Sequence, residues 1–148
     1  MKSRLIPKLT ILTLAAVALP VLAEDPSSTT LPPEQHAGSI SYITGGVGSN
    51  EAKAMEAQID KHTLAIELLE KTANRDEFTG DATVDITDQS GTSLLSAQSD
   101  GPFMLVDLPP GRYTVTATIN GKELKKSAVV IAENKTARAT FVFPASVG

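Results

Sequence analysis

The stretch Leu108-Pro109-Pro110-Gly111-Arg112-Tyr113-Thr114-Val115-Thr116-Ala117-Thr118-Ile119-Asn120-Gly121 decides the fold. Tyr113, Val115, Ala117 and Ile119 recur every second residue, and the positions between them are Thr. That alternation puts one apolar and one polar face on a β-strand. Asn120-Gly121 is the strongest short hairpin signal in the chain, because both residues tolerate positive φ. Pro109 and Pro110 stiffen the turn that leads in, and Gly111 supplies its freedom.

The same period runs outward in both directions. Downstream, Leu124 to Ile131 returns as a strand, Glu133-Asn134-Lys135 turns, and Ala137, Ala139, Phe141 and Phe143 close the pattern before Pro144. Upstream, Phe103 and Leu105 form a strand that leads into Leu108, and Ser99-Asp100-Gly101-Pro102 turns before it. Leu94 and Leu95 mark a short strand. Ala82, Val84 and Ile86 mark another, closed by the turn Asp88-Gln89-Ser90-Gly91. Asn74 to Gly80 is polar and turn-rich. Leu64, Ile66 and Leu68 open the series after His62. About seven strands at this turn spacing predict a mainly β, antiparallel two-sheet sandwich over residues 62–144.

Before His62 the period is that of a helix. Ala52, Met55 and Ile59 make a narrow apolar stripe, with Lys53, Glu56, Gln58 and Asp60 on the polar side. Ser49 or Asn50 suits the N-cap, and Glu51 suits the first turn. A helix over residues 49–61 is marginal alone and is expected to lie on the sandwich. Residues 24–48 carry Pro26, Pro32, Pro33 and a serine–threonine run, and read as a linker, with a short strand near Ser39 to Ile43.

Residues 1–23 read as an export signal. Lys2, Arg4 and Lys8 precede the apolar run Leu9 to Leu19, Pro20 breaks it, and Val21-Leu22-Ala23 sets cleavage after Ala23. The run is too short to span a bilayer, so no stable membrane insertion is expected after cleavage. The expected location is the periplasm or outside the cell. The signal contains three of the 13 basic residues and none of the 17 acidic ones, so the remainder holds 10 against 17, a net charge of −7. Such a chain is a poor partner for nucleic acid. The absence of cysteine removes disulfides, thiol nucleophiles and thiolate metal sites.

The run from Asp100-Gly101-Pro102-Phe103 through Leu108-Pro109-Pro110-Gly111 to Tyr113-Thr114-Val115 resembles carboxypeptidase regulatory-like domains. The resemblance implies a seven-stranded transthyretin-like sandwich, with Phe103, Leu108, Pro109, Pro110, Gly111, Tyr113 and Val115 as its signature. Tyr113 is then expected to plug one end of the core and reach backbone with its hydroxyl. Tyr42 to Gly48 resembles a segment that precedes a helix and such a sandwich in small exported bacterial proteins. That likeness implies no activity, since the fold hosts unrelated functions.

No constellation points to a reaction. His36 and His62 lack neighbours at metal-ligand spacing. Asp81, Asp85, Asp88, Asp100 and Asp107 do not match a calcium loop and read as turn or strand residues. A hydrolase using His62 would need a serine brought to it by folding, and no Gly-x-Ser-x-Gly elbow is present. The amides of Gly45 to Gly48 before a helix are a possible anion site, but no Lys-Ser or Lys-Thr follows, so a connector is the expected role. The sequence therefore predicts a non-catalytic exported accessory or binding domain without cofactor or metal, working with another envelope protein. Its expected contact surface is Gly45, Gly46, Gly48, Ser49, Asn50, Asp100 and Gly101. The alternatives are an assembly subunit that pairs through a strand edge, and a hydrolase.

Overall fold

The computed structural model describes residues 30–145. The expected signal peptide and the first residues of the expected linker lie outside them. The architecture is mainly β, with two sheets and one short helix. It holds ten strands rather than seven: β1 (Gln35–Ala37), β2 (Ile40–Gly45), β3 (Leu64–Lys71), β4 (Asp76–Phe78), β5 (Thr83–Asp88), β6 (Ser93–Gln98), β7 (Phe103–Asp107), β8 (Gly111–Ile119), β9 (Lys122–Ile131) and β10 (Ala137–Phe143). Beyond the seven are β1, inside the stretch read as linker, β2, which forms where a short strand is expected near Ser39 to Ile43, and β4, inside the stretch read as a polar turn. Ile40 and Tyr42 lie on one side of β2 and are buried in the main core.

One sheet has the order β1-β2-β7-β3-β10, with β4 on the same edge of β3 beyond the end of β7. The other has the order β6-β5-β8-β9. The pairing is not wholly antiparallel: β10 runs parallel to β3, from Ala137 beside Leu64 to Phe143 beside Glu70. Hydrophobic period carries no strand direction, so the sequence is silent on this point. Between the sheets lies the main core, which includes Leu64, Ile66, Leu68, Val84, Ile86, Val115, Ala117 and Phe141. The Asn120-Gly121 turn forms as its residue types predict, with φ of 48° and 77°, and joins β8 to β9.

Tyr113 sits at the end of this core and donates its hydroxyl to the carbonyl of Pro109 at 2.7 Å. Burial, and then the charge of Asp88 on the neighbouring strand, hold its phenol above the ordinary range. Asp88 Oδ1 accepts from the amides of Ser90 (2.9 Å) and Thr92 (3.0 Å) and from the Ser90 hydroxyl (2.7 Å). The Ser90 hydroxyl bond, then the Thr92 amide, hold this carboxyl below its usual value.

The helix α1 (Ser49–Gln58) and a following 3₁₀ turn (Ile59–Lys61) cover the outer face of the first sheet. Met55 and Ile59 pack there on Ile43, Ala65, Phe103 and Leu105, with Ala52 at the margin. The central strands β2, β3 and β7 are thus buried on both faces. Their even-numbered residues face the second sheet and their odd-numbered residues face the helix.

Candidate functional site

Two short loops and a strand end meet at the point where β7 stops and β4 begins along β3. Leu68 sits at that gap. Its amide donates to Pro102 O at 2.9 Å, and its carbonyl accepts from the Thr79 amide at 3.0 Å. Segments 79–81 and 100–102 are thereby pinned to one residue of the core strand. They are also pinned to each other: the Asp81 amide donates to Ser99 O, and the Ala82 amide donates to the buried Ser99 hydroxyl at 3.0 Å. The Asp100 amide donates to the buried Thr44 hydroxyl at 2.9 Å, which ties the second loop to β2.

Glycines let these backbones touch. A Cβ on Gly101 would lie 2.4 Å from Gly45 O, and one on Gly80 would lie 3.1 Å from Gly101 Cα. A Cβ on Gly46 would lie 2.5 Å from the Phe103 ring. Gly46 and Gly48 also hold φ of 99° and 82°, a region that L side chains rarely adopt. The loop they bracket displays Val47, which is 67% exposed. Across the floor, Phe78 at the end of β4 is 53% exposed, and its ring packs on buried Phe103 with centroids 5.1 Å apart. Among the described residues the exposed large hydrophobics are these two and Val130.

The result is a shallow depression of about 310 Å³ lined by Gly46, Val47, Gly48, Phe78, Thr79, Gly80, Asp81, Asp100, Gly101 and Pro102. Of the residues expected at a contact surface, Gly46, Gly48, Asp100 and Gly101 come together here. Gly45 lies buried beneath, against Gly101 and Glu51. Ser49 and Asn50 are exposed at the start of α1 and do not line the depression. Val47 and Pro102 lie within the two loops expected at the surface, Gly45 to Asn50 and Asp100 to Pro102, whereas sequence reasoning missed Phe78, Thr79, Gly80 and Asp81. The available signal was Phe78, a large aromatic in an otherwise polar run.

The Gly46 and Val47 amides do not stand open for an anion. Glu51 Oε1 accepts from the Gly46 amide at 2.8 Å and from the Val47 amide at 3.4 Å. The helix N-cap is Gly48 rather than Ser49 or Asn50, and no side chain caps it. Glu51 instead reaches back from the first turn, supplies the negative charge that the helix end favours, and fixes the loop before it.

A second polar cluster lies at the junction of the 3₁₀ turn with β3. Asp107 Oδ2 meets His62 Nδ1 at 3.0 Å and accepts from the Ser41 hydroxyl at 3.4 Å, and Oδ1 accepts from the Thr63 amide at 3.3 Å. Ser41 therefore sits on the carboxylate. In a hydrolytic triad the nucleophile bonds the far imidazole nitrogen, and among the described residues no hydroxyl bonds His62 Nε2. The Thr63 hydroxyl accepts from the Leu108 amide at 2.8 Å and lies 3.2 Å from Val106 O, so the cluster closes the end of β7. Among the described residues, no group of three or more His, Asp or Glu is placed to hold a metal ion. No helix of the described residues is long and apolar enough to cross a membrane. No protein-family model matches the chain, and no curated protein matches it either.

Proposed function

We propose that this chain is an exported, non-catalytic binding domain of the bacterial envelope, of the carboxypeptidase regulatory-like kind, whose contact surface is the glycine-floored depression. One observation carries the reading. Two apolar side chains, Val47 and Phe78, stand in solvent around one depression, the first on a loop whose amides are held by Glu51 and the second packed on Phe103. Exposed apolar groups gathered in one place are characteristic of interaction sites, whereas scattered ones are ordinary. The Phe103 strand and the Tyr113–Pro109 bond support the domain type, and the residue 1–23 pattern supports export. The test is comparative capture from envelope extract with wild-type protein and a Val47→Ser/Phe78→Ser variant. The reading expects a defined partner to be retained by wild type and lost by the variant. Equal retention by both proteins rejects this surface.

A second reading, assembly through a strand edge, is favoured by β6. This edge strand pairs only with β5 among the described residues, and Ser93-Leu94-Leu95-Ser96-Ala97-Gln98 contains no charge and no proline. The edge strand β9 of the same sheet is protected by Lys122, Lys125, Lys126 and a bulge at which Ala128 takes φ 57°. Uncharged edges invite strand addition. Light scattering over a range of concentrations distinguishes the two readings: a dimer lost on Ser96→Lys supports edge pairing, and a monomer throughout removes it.

A further inference from the structure

We infer that the depression takes a cationic, apolar segment of a partner protein: a Lys or Arg side chain set beside an aliphatic or aromatic one. This rests on the reading of the depression as the contact surface and adds the chemistry of its occupant. The ten lining residues include two carboxylates, Asp81 and Asp100, and no basic side chain. Both aspartates are exposed, and among the described residues neither carboxylate has a hydrogen-bond or salt-bridge partner. The segments that carry them are held together, since the Asp81 amide bonds the carbonyl of Ser99, the residue before Asp100.

The elements around the depression strengthen the same sign. Glu51 lies behind the Val47 loop with its carboxylate on the loop amides. β4 brings Asp76 and Glu77 up to Phe78. The basic side chains near these elements are Lys53, farther along α1, Lys71, opposite Asp76 in the β3–β4 register, and Arg75, just before β4, whose Nε is taken by Glu77 at 3.2 Å. An incoming carboxylate or phosphate would therefore meet repulsion and no basic side chain in the lining. An incoming cation would meet carboxylates already fixed in position.

The apolar pair makes the occupant a side-chain-bearing segment rather than a bare cation. Val47 and Phe78 flank a floor that includes Gly80 and Gly101, whose missing Cβ positions face Gly101 and Gly45 inside the domain, so the apolar surface offered to an occupant is that of Val47 and Phe78. A Lys or Arg stem also covers apolar surface while its head reaches a carboxylate. Arg adds a cation–π contact with the Phe78 ring.

The experiment uses isotope-labelled protein and three end-blocked synthetic hexapeptides. One alternates Lys and Leu. The others replace each Lys with Gln or with Glu. Amide shifts are followed by NMR at low and at 0.5 M salt. The Lys–Leu peptide is expected to shift Val47, Gly48, Gly80, Asp81 and Gly101 saturably, with binding that weakens as salt rises. Asp81→Asn/Asp100→Asn is expected to weaken it by about tenfold or more. Asn tolerates the φ of 59° that Asp81 adopts, so this variant keeps the loop. Equal binding of the Gln–Leu or Glu–Leu peptide at these amides overturns the cationic preference and leaves the contact surface standing. Absence of shifts at these amides with every peptide overturns both.

Discussion

Gly101→Ala isolates the contact on which the floor of the depression depends. Gly101 does not hold a positive φ, so alanine there carries no backbone penalty of its own. The added methyl would instead lie 2.4 Å from Gly45 O, 2.5 Å from Gly45 C and 3.0 Å from Gly45 Cα. These are main-chain atoms of β2, and no side chain can rotate away to relieve them. The loop must move out by roughly 1 Å to restore van der Waals distance. That movement strains the Asp100 amide bond to Thr44 and the Leu68 amide bond to Pro102, which hold the loop from either side. Overpacking costs about 1–3 kcal/mol and a weakened hydrogen bond about 1 kcal/mol, so a loss of about 3 kcal/mol is expected. For a domain of this size the fall in melting temperature is on the order of 10 °C. Gly38→Ala is the matched control, because φ is +60° there and nothing lies within 4 Å of the new methyl. Its cost is conformational only, about 1 kcal/mol. Urea unfolding followed by circular dichroism measures both, since the chain has no Trp to report by fluorescence. If Gly101→Ala is no more destabilising than Gly38→Ala, the close approach of the two backbones is not what shapes this surface.

Three further substitutions test other parts of the structure. Thr63→Val keeps the β-branched shape but leaves the Leu108 amide without its 2.8 Å acceptor, so about 1–3 kcal/mol is lost, whereas Thr63→Ser retains most of it; equal losses would remove the hydroxyl from the account. Met55 is fully buried between α1 and the first sheet, so Met55→Ala is expected to cost about 2–5 kcal/mol by urea unfolding, and a loss below about 1 kcal/mol would mean the helix is not anchored there. The Asp88 carboxyl is held low in the folded chain by Ser90 and Thr92, so its contribution is fully present above the carboxyl's unfolded pKa and disappears as pH falls through the lower folded value. Melting temperatures of wild type and Asp88→Ala are therefore expected to differ at pH 7 and to converge below about pH 4, and a gap that widens in acid would refute the sign.

Local pattern is legible in this chain where a side chain's role depends on near neighbours. Tyr113, Val115 and Ala117 alternate because a strand alternates, and they are buried as the alternation requires. Asn120-Gly121 turns because both residues accept positive φ. The stripe Ala52, Met55 and Ile59 packs on the sheet because a helix repeats every 3.6 residues. Legibility ends where a role depends on what folding brings across. Gly45 and Gly101 are far apart in sequence, and no period links them. Each reads as a flexible connector, although their shared lack of a Cβ is what permits contact. Phe78 in a polar run reads as part of a turn until Phe103 is placed under its ring. Glu51 reads as a helix-end charge, and only the returning loop shows that it also occupies the Gly46 and Val47 amides. The candidate surface thus combines features that sequence suggests singly with a juxtaposition only folding supplies. The same carboxylate that occupies the Gly46 and Val47 amides adds negative charge behind Val47, so the device that fixes the loop also turns the depression toward cations.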